Sequence, residues 1–308
     1  MRSDRAILSP TFVELARDEP VVLVDVGARG ELEEPWRLMD PGALRVIGFE
    51  PDGDECARLA HTDPTRRYLP VALWSTDVEV DVHVAAFPGC TSVHPPNAEV
   101  LERYAPEHVE PRATTAVARY PARRLDDVLR EEGIVCDVVK IDTQGSEGEV
   151  IAGAAEVLRR DAFAVLVETW TVEVHRGQAL TGDVMRELAS LGFSVFDIGV
   201  AAAWTRRAAT GADLVAKRQV TGLDLLVFKD PPPDGSIVQR AKWAAIADAF
   251  GFTDYALEIL AGNDSSEGEA MRAALVRGAM PAGPAARRGL LRRRASVPHE
   301  SPFASLHA

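Results

Sequence analysis

The chain has 308 residues, of which 46% are hydrophobic and 26% charged, and its formal net charge at pH 7 is -13. These values are typical of a globular protein and exclude a general nucleic-acid binder, whose phosphate contacts require a basic surface. No apolar run approaches the roughly 20 residues of a membrane span, and no signal peptide is visible, so a cytoplasmic location is expected.

The first part of the chain alternates between predicted helices and strands. The apolar run 21–26 is typical of a strand buried on both faces, and it ends in a glycine turn at Gly27 and Gly30. The other expected elements are a helix over 10–19, a strand over 44–50, a helix over 53–60 and a strand over 68–74. Strands that alternate with helices predict a parallel sheet with right-handed crossovers.

Residues 75–121 interrupt this alternation. Strict apolar–polar alternation over 78–84 predicts a half-exposed strand, and 114–120 predicts a return strand. We interpret the block as a β insertion that covers one side of the ligand-binding site expected at the end of the first strand. A helix is expected to begin at Leu125, with Asp126 near its N-cap.

The second part of the chain repeats the pattern of a strand followed by an acid. A strand over 138–141 leads into a glycine turn and a helix through about Leu158, and further strands bring the sheet to about seven. The later predicted segments are a strand over 163–168, a helix over 181–191, strands over 193–198 and 223–228, and a loop or short helices over 199–220. Residues 1–230 thus form one predicted domain, 231–280 a C-terminal helical extension and 281–308 a flexible basic tail.

Four acids follow or end predicted strands: Asp25, Glu50, Asp142 and Glu168. Open α/β sheets bind ligands at the carboxyl edge of their strands, so these side chains are expected to meet at one site. Glu50 is suited to hydrogen-bond a ribose diol. The first turn reads D-x-G-x-x-G, and Asp25 would repel a pyrophosphate but attract a cation. S-adenosylmethionine, which carries a sulfonium, an ammonium and a ribose, fits this pattern better than a dinucleotide.

The segment 139–154 (VKIDTQGSEGEVIAGA) resembles the KIDxxGxE…xGA signature of the FkbM family of methyltransferases. Further matching stretches occur in the family's order: 24–30, 47–52, 71–73, 125–129, 166–168, 177–178 and 192–193. The resemblance covers about residues 20–229. It implies an α/β fold with a seven-stranded, Rossmann-like class I methyltransferase sheet, and O-methylation of a sugar, glycan or secondary metabolite with S-adenosylmethionine as cofactor.

The resemblance also implies positions around the cofactor. The glycine turn would surround the methionine part, Glu50 would take the ribose hydroxyls, and Ala72 and Leu73 would lie near the adenine. The complete predicted cofactor set is Asp25, Gly27, Ala28, Gly30, Glu50, Pro51, Ala72, Leu73 and Asp142. Two positions depart from the common family form: Arg29 stands where asparagine-containing turns are frequent, and His175 where tyrosine often precedes Gly-Gln.

Asp142, Glu168 and His175 are the candidate catalytic residues, with Lys140 and Glu147 as further candidates behind them, because a hydroxyl acceptor loses a proton during transfer. Several of these residues also have a possible non-catalytic role. Asp142 would instead order the loop and the cofactor amine, His175 would be a surface or lid residue, Glu147 would stabilise a helix N-terminus, and Lys140 would pair with an acid.

No metal is expected, since Cys56, Cys90 and Cys136 form no C-x-x-C pair and the histidines lack ligand spacing. The expected partner is a small-molecule or glycan acceptor, with no nucleic acid and no transmembrane segment, and the oligomeric state is open. Two other functions remain possible at this stage: an NAD(P)-dependent oxidoreductase on the same sheet, and a non-catalytic binding module whose residues 236–280 dock a partner.

Overall fold

The computed structural model describes residues 9–207 and 217–279. The larger of its two sheets has seven strands. In chain order the strands are β1 (Val21–Val26), β2 (Leu44–Phe49), β3 (Arg67–Leu69), β4 (Ala72–Leu73), β5 (Val78–Ala85), β6 (Thr114–Arg123), β7 (Val138–Ile141), β8 (Ala164–Trp170), β9 (Phe193–Trp204) and β10 (Gln219–Lys229). The main sheet has the order β3-β2-β1-β7-β8-β10-β9, and β4-β6-β5 form a second sheet. The predicted α/β class with a seven-stranded sheet is confirmed.

Strand direction and order define where a ligand can bind. β2 and β3, β1 and β7, and β7 and β8 pair in parallel, whereas β10 is antiparallel to both β8 and β9. The chain leaves β1 toward β2 on one side and returns as β7 on the other. The carboxyl ends of β1 and β7 therefore flank the switch point at which open α/β sheets form their ligand crevice.

The helices precede, connect and follow these strands. They are α1 (Pro10–Leu15), α2 (Gly53–Thr62), α3 (Ala98–Leu101), α4 (Pro106–Val109), α5 (Leu125–Glu131), α6 (Glu147–Gly153), α7 (Ala155–Arg160), α8 (Thr181–Ser190), α9 (Ile237–Ala249), α10 (Thr253–Ile259) and α11 (Ser266–Ala279). Over the part of the chain that is described, none of these helices combines the length and the apolar character that crossing a bilayer requires.

The described chain divides into two compact units. One is made from described residues of Met1–Val21, Glu31–Arg45 and Pro231–Ala308, and the other from those of Val22–Gly30 and Val46–Asp230. In the first unit α9 contacts α1, α10 and α11, and the ring of Trp36 lies edge-on to that of Phe250, 5.7 Å between centroids. The predicted basic tail over 281–308 lies outside the described residues.

The core of the second unit is made by strands that are apolar on both faces. Every residue of β1 is buried, and the side chains of Val22, Val24 and Val26 join a cluster with those of β7, β8 and the helices α5 to α8. Removing such side chains from water is the main favourable term in folding. The apolar run at 21–26 therefore forms a central strand, as its pattern predicts.

The single strand expected over 68–74 is wrong. Arg67–Leu69 pairs with β2 in the main sheet, whereas Ala72–Leu73 pairs with β6 in the small sheet. Pro70 separates the two pieces and has no N–H to donate to a sheet. The chain changes sheet at this proline.

The loop expected over 199–220 is also wrong at both ends. β9 continues to Trp204 and β10 begins at Gln219, and the two pair along this length with register shifts near Gly222. The alanines at 201–203 favour a strand weakly by themselves, so hydrogen bonds to β10 decide their conformation. Residues 208–216, between these strands, lie outside the described residues.

Asp126 lies in the first turn of α5, near the N-cap as the sequence predicts, but its carboxylate caps a different helix. Arg124 is the N-cap residue of α5, and the Asp126 carboxylate accepts hydrogen bonds from the backbone N–H groups of Glu156 (3.2 Å) and Val157 (2.9 Å). Arg124 Nη2 pairs with the same carboxylate at 2.9 Å. The buried acid therefore satisfies the free N–H groups at the start of α7, which follows it by about thirty residues.

Replacing Asp126 with alanine is expected to lower the free energy of unfolding by about 1–3 kcal/mol, because two N–H groups at the start of α7, that of Val157 among them buried, lose their acceptor. Chemical denaturation monitored by circular dichroism measures the change. Asp127→Ala is the matched control: this neighbour pairs with arginines at the surface, and its loss is expected to cost about 0.5 kcal/mol. Equal destabilisation by the two variants would contradict the cross-helix role of Asp126.

Candidate functional site

The four predicted acids lie on four neighbouring strands. Asp25 and Glu168 stand near the ends of β1 and β8, while Glu50 and Asp142 directly follow β2 and β7. These strands are adjacent in the order β2-β1-β7-β8. The acids therefore share the carboxyl edge of the sheet, as the spacing in the sequence predicts.

A cavity of about 590 Å³ opens at this edge. Seven of the predicted cofactor residues line it: Gly27, Gly30, Glu50, Pro51, Ala72, Leu73 and Asp142. The predicted residues Asp25, Ala28, Glu168 and His175 are not among the lining residues. Among the described residues that line the cavity, three carboxylates (Glu50, Asp52 and Asp142) are accompanied by one arginine, Arg29. The chemistry of this wall favours a ligand with positive charge.

The glycine turn after β1 brings the backbone close to β7. Gly27 has φ +80°, and a Cβ built there would lie 1.9 Å from the carbonyl oxygen of Asp142. The N–H groups of Gly27 and Ala28 both bond to the carbonyl oxygen of Phe49. Any larger residue at 27 would push these strand ends apart, so the glycine keeps this end of the cavity narrow.

Glu50 forms a polar end to the cavity and is only 5% exposed. Its Oε1 accepts the backbone N–H of Asp52 (2.9 Å) and contacts Arg29 Nη2 (3.4 Å), which also bonds to Asp52 Oδ2 (3.0 Å). Burial raises the pKa of Glu50, while the Asp52 N–H and the Arg29 charge oppose that rise. Both contacts use Oε1, which leaves Oε2 to accept a hydrogen bond from a ligand.

Asp25 faces β7 and not the cavity wall. It lies opposite Lys140 in the parallel register, and Lys140 Nζ is 3.4 Å from Asp25 Oδ1. Asp25 is 8% exposed. The lysine thus pairs with a neighbouring acid, one of the two roles considered for it, and it offsets the charge on which the sequence argument for a cationic ligand began.

The turn over 142–147 is ordered by Glu147. This 1%-exposed carboxylate accepts hydrogen bonds from the backbone N–H groups of Thr143 (3.1 Å) and Gly145 (2.9 Å) and from the Thr143 hydroxyl (3.0 Å). Burial raises the pKa of Glu147 to about 7, while these donors favour its charged form. Glu147 therefore shapes the loop that carries Asp142.

Asp142 and Glu168 are linked through one side chain. Gln144 Nε2 donates to Asp142 Oδ1 at 3.0 Å and to Glu168 Oε2 at 2.5 Å. Burial and the charge of Asp142 raise the pKa of Glu168 well above its usual range. Glu168 reaches the cavity wall through Gln144, which lines it.

His175 is 1% exposed and is not at the surface. Its backbone N–H bonds to Gln178 Oε1 (2.6 Å), and its ring packs on Gly145, where a Cβ would lie 3.3 Å from Nδ1. Burial lowers the pKa of His175 to about 3, and the charge of Arg112 acts in the same direction. The neutral ring supports the 142–147 turn and is poorly suited to accept a proton at pH 7.

A family model described as the methyltransferase FkbM domain matches residues 25–195, more than half of the chain. The chain belongs to the FkbM methyltransferase family. The match includes the four acids and the glycine turn. No curated protein matches the sequence.

Solved structures of methyltransferases resemble this FkbM-family chain at low identity. A methyltransferase FkbM from Methylobacillus flagellatus KT is 15% identical over 67% of this chain and 43% of its own, with a TM-score of 0.35. This chain thus spans less than half the length of that protein. A TehB-like SAM-dependent methyltransferase from Corynebacterium glutamicum is 11% identical over 71% of this chain and 88% of its own, with a TM-score of 0.33. Magnesium protoporphyrin IX methyltransferase from Synechocystis, with bound SAM, is 10% identical over 71% of this chain and 76% of its own, with a TM-score of 0.34.

Sequence reasoning missed three contributors to the cavity of this FkbM-family protein. Arg29 was noted only as a departure from the family, yet it bridges Glu50 and Asp52. Gln144 was one unassigned position in the signature. Phe87, from the loop after β5, lines the cavity while 60% exposed. A single exposed aromatic in a loop carries no periodic signal, so only the fold reveals its position.

Proposed function

We propose that this protein transfers a methyl group from S-adenosylmethionine to a hydroxyl group. The observation that carries the proposal is the acid-lined cavity at the carboxyl ends of β1, β2 and β7 in a chain of the FkbM family. A pyrophosphate-containing dinucleotide would meet Glu50, Asp52 and Asp142 with charge of the same sign. The cationic sulfonium and ammonium of S-adenosylmethionine would meet them with opposite charge.

The residues present fit this cofactor. Oε2 of Glu50 is available for a ribose hydroxyl, and the backbone at Gly27 and Gly30 admits close approach of the methionine part. Ala72 and Leu73 give a small apolar surface suited to the adenine. The proposed cofactor site thus keeps the predicted lining residues, while Asp25 and Ala28 would support the turn from behind.

For methyl transfer the protein mainly has to align the acceptor oxygen with the methyl carbon and remove the hydroxyl proton. When bound, the cofactor supplies an electrophilic methyl carbon next to a positively charged sulfur. The cavity walls would hold the acceptor oxygen in line with that carbon and exclude water. Asp142, which lines the cavity, is the proposed acceptor of the hydroxyl proton. Glu168, whose pKa is raised by burial, and His175, whose ring is buried beside the turn, are proposed to support it.

The acceptor is proposed to be a sugar, a glycan or a secondary metabolite, in keeping with the family resemblance. Val82, Val84 and Phe87 form an apolar wall of the cavity. Such a wall suits the C–H face of a sugar ring or the carbon skeleton of a metabolite. The exposed ring of Phe87 would then contact the part of the acceptor that remains outside.

Isothermal titration of the full chain with S-adenosylhomocysteine and with NAD tests the cofactor. We expect a stoichiometric binding signal for S-adenosylhomocysteine and none for NAD. Binding of NAD alone would instead support the oxidoreductase. Radiolabelled methyl transfer from S-adenosylmethionine to fractions of a cell extract then tests the activity, and S-adenosylhomocysteine binding without transfer to any fraction would support the binding module.

A further inference from the structure

Gln144 has an unusual backbone as well as an unusual side-chain environment. Its φ is +57°, and among the described residues it is the one non-glycine with a positive φ. Left-handed backbone is unfavourable for a residue with a Cβ, and such strain is concentrated at functional positions. Glycine would relieve the strain at this turn, so the presence of glutamine points to a use for its side chain.

That side chain joins two carboxyl groups from neighbouring strands. The Nε2 amide donates one hydrogen bond to Asp142 Oδ1 (3.0 Å) and another to Glu168 Oε2 (2.5 Å). Two carboxylates this close would repel each other if both were ionised. The amide gives each of them a donor and holds them in a defined orientation beside the cavity that Gln144 and Asp142 both line.

The surroundings of the pair favour a single shared negative charge. Burial, the charge of Asp142 and further acids raise the pKa of Glu168 well above its usual range, so Glu168 holds its proton more tightly than an exposed glutamate does. The titratable and charged groups that face the pair are Asp224 of β10, Glu147 of α6, Arg112 and the Cys90 thiol. Asp142 is the member of the pair that lines the cavity.

We propose that Gln144 is a positioning residue that holds Asp142 and Glu168 as a carboxyl pair, with Asp142 ready to receive the acceptor's proton. The proposal rests on the methyl transfer proposed above. In that step the acceptor oxygen bonds to the methyl carbon, and the carbon–sulfur bond breaks with its electron pair moving to sulfur. The hydroxyl proton moves to the Asp142 carboxylate. Gln144 touches neither reacting atom and acts through the acid.

Three variants of Gln144 separate the effect of its side-chain amide from the effect of its strained backbone. Gln144→Gly removes the side chain and relieves the positive φ, whereas Gln144→Ala removes the amide and leaves the strain. Gln144→Asn keeps a shorter amide in a conformation that asparagine tolerates. A loss common to the glycine and alanine variants, and partly recovered by asparagine, would come from the amide.

The first measurement is made on the protein without cofactor. Carbon-13 NMR follows the side-chain carboxyl signals of Asp142 and Glu168 with pH, assigned through Asp142→Asn and Glu168→Gln. Because N–H donation favours the ionised form, its removal in Gln144→Gly is expected to move the titration of Asp142 upward by roughly one pH unit. Unchanged titrations of both acids in Gln144→Gly would overturn the proposal.

The second measurement is the dependence of kcat on pH, together with KM for S-adenosylmethionine. The acidic limb of the kcat profile is expected to move to higher pH by roughly one unit in Gln144→Gly and Gln144→Ala, which lowers kcat roughly tenfold at pH values on that limb, with KM for S-adenosylmethionine unchanged. A rise in KM with an unmoved profile would assign Gln144 to binding and contradict the positioning role. Failure of the unmodified protein to bind S-adenosylhomocysteine would refute the proposed function instead, and the NMR titration distinguishes the two failures.

Discussion

Methyl transfer by Asp142→Asn is expected to be roughly 10²- to 10⁴-fold slower in kcat, the range that a positioned general base contributes. Asparagine keeps the size of the side chain and one oxygen for the Gln144 amide, but it cannot take a proton at neutral pH. S-adenosylhomocysteine lacks the sulfonium charge, so its affinity is expected to change little. Single-turnover transfer and isothermal titration measure the two effects.

Asp81→Asn is the matched control for Asp142→Asn. Asp81 is an exposed acid of β5 that pairs with Arg119 and does not line the cavity. It is expected to leave both kcat and affinity unchanged. If Asp142→Asn lowers the affinity for S-adenosylhomocysteine and spares kcat, Asp142 orders the cofactor amine and is not the base.

Glu50→Gln is expected to weaken S-adenosylhomocysteine binding by roughly 10- to 150-fold, since a hydrogen bond to a charged group contributes about 1.5–3 kcal/mol. The change also removes the charge of one of the two acids that pair with Arg29 and leaves its ion pair with Asp52 in place. Isothermal titration of folded protein, with circular dichroism to verify the fold, measures the loss.

Glu131→Gln makes the same chemical change at the end of α5. Glu131 pairs with Arg123 at 2.7 Å and is not among the cavity residues. Its affinity for S-adenosylhomocysteine is expected to match that of the unmodified protein. Similar affinities for Glu50→Gln and Glu131→Gln would remove Glu50 from the cofactor site.

Much of the main sheet follows from the order of residues along the chain. The buried run of β1, the glycine turn and the acid after each parallel strand are local patterns, and each has a direct physical cause in burial or backbone geometry. The same patterns predict correctly that Asp25, Glu50, Asp142 and Glu168 share one edge. Where a local signal was weak, as at the alanines of β9, the expected loop was wrong because pairing with β10 decides the conformation.

The charge argument predicted acids at the correct edge of the sheet but gave the main role to an acid that does not line the cavity. Asp25 was expected to attract a cationic ligand directly, but it is paired with Lys140. The acids that line the cavity come instead from the ends of β2 and β7 and from the turn after β2. Pairing across 115 residues has no signature in the sequence of either strand.

The sequence by itself determined the fold class, the family and the edge of the sheet at which chemistry can occur, because these depend on periodicity and on motifs a few residues long. Only the tertiary structure decided which acids face the cavity, that Arg29 bridges Glu50 and Asp52, and that Gln144 joins Asp142 to Glu168. These contacts depend on the orientation of side chains from separate strands. Such orientation is defined only when the sheet has assembled around its buried core.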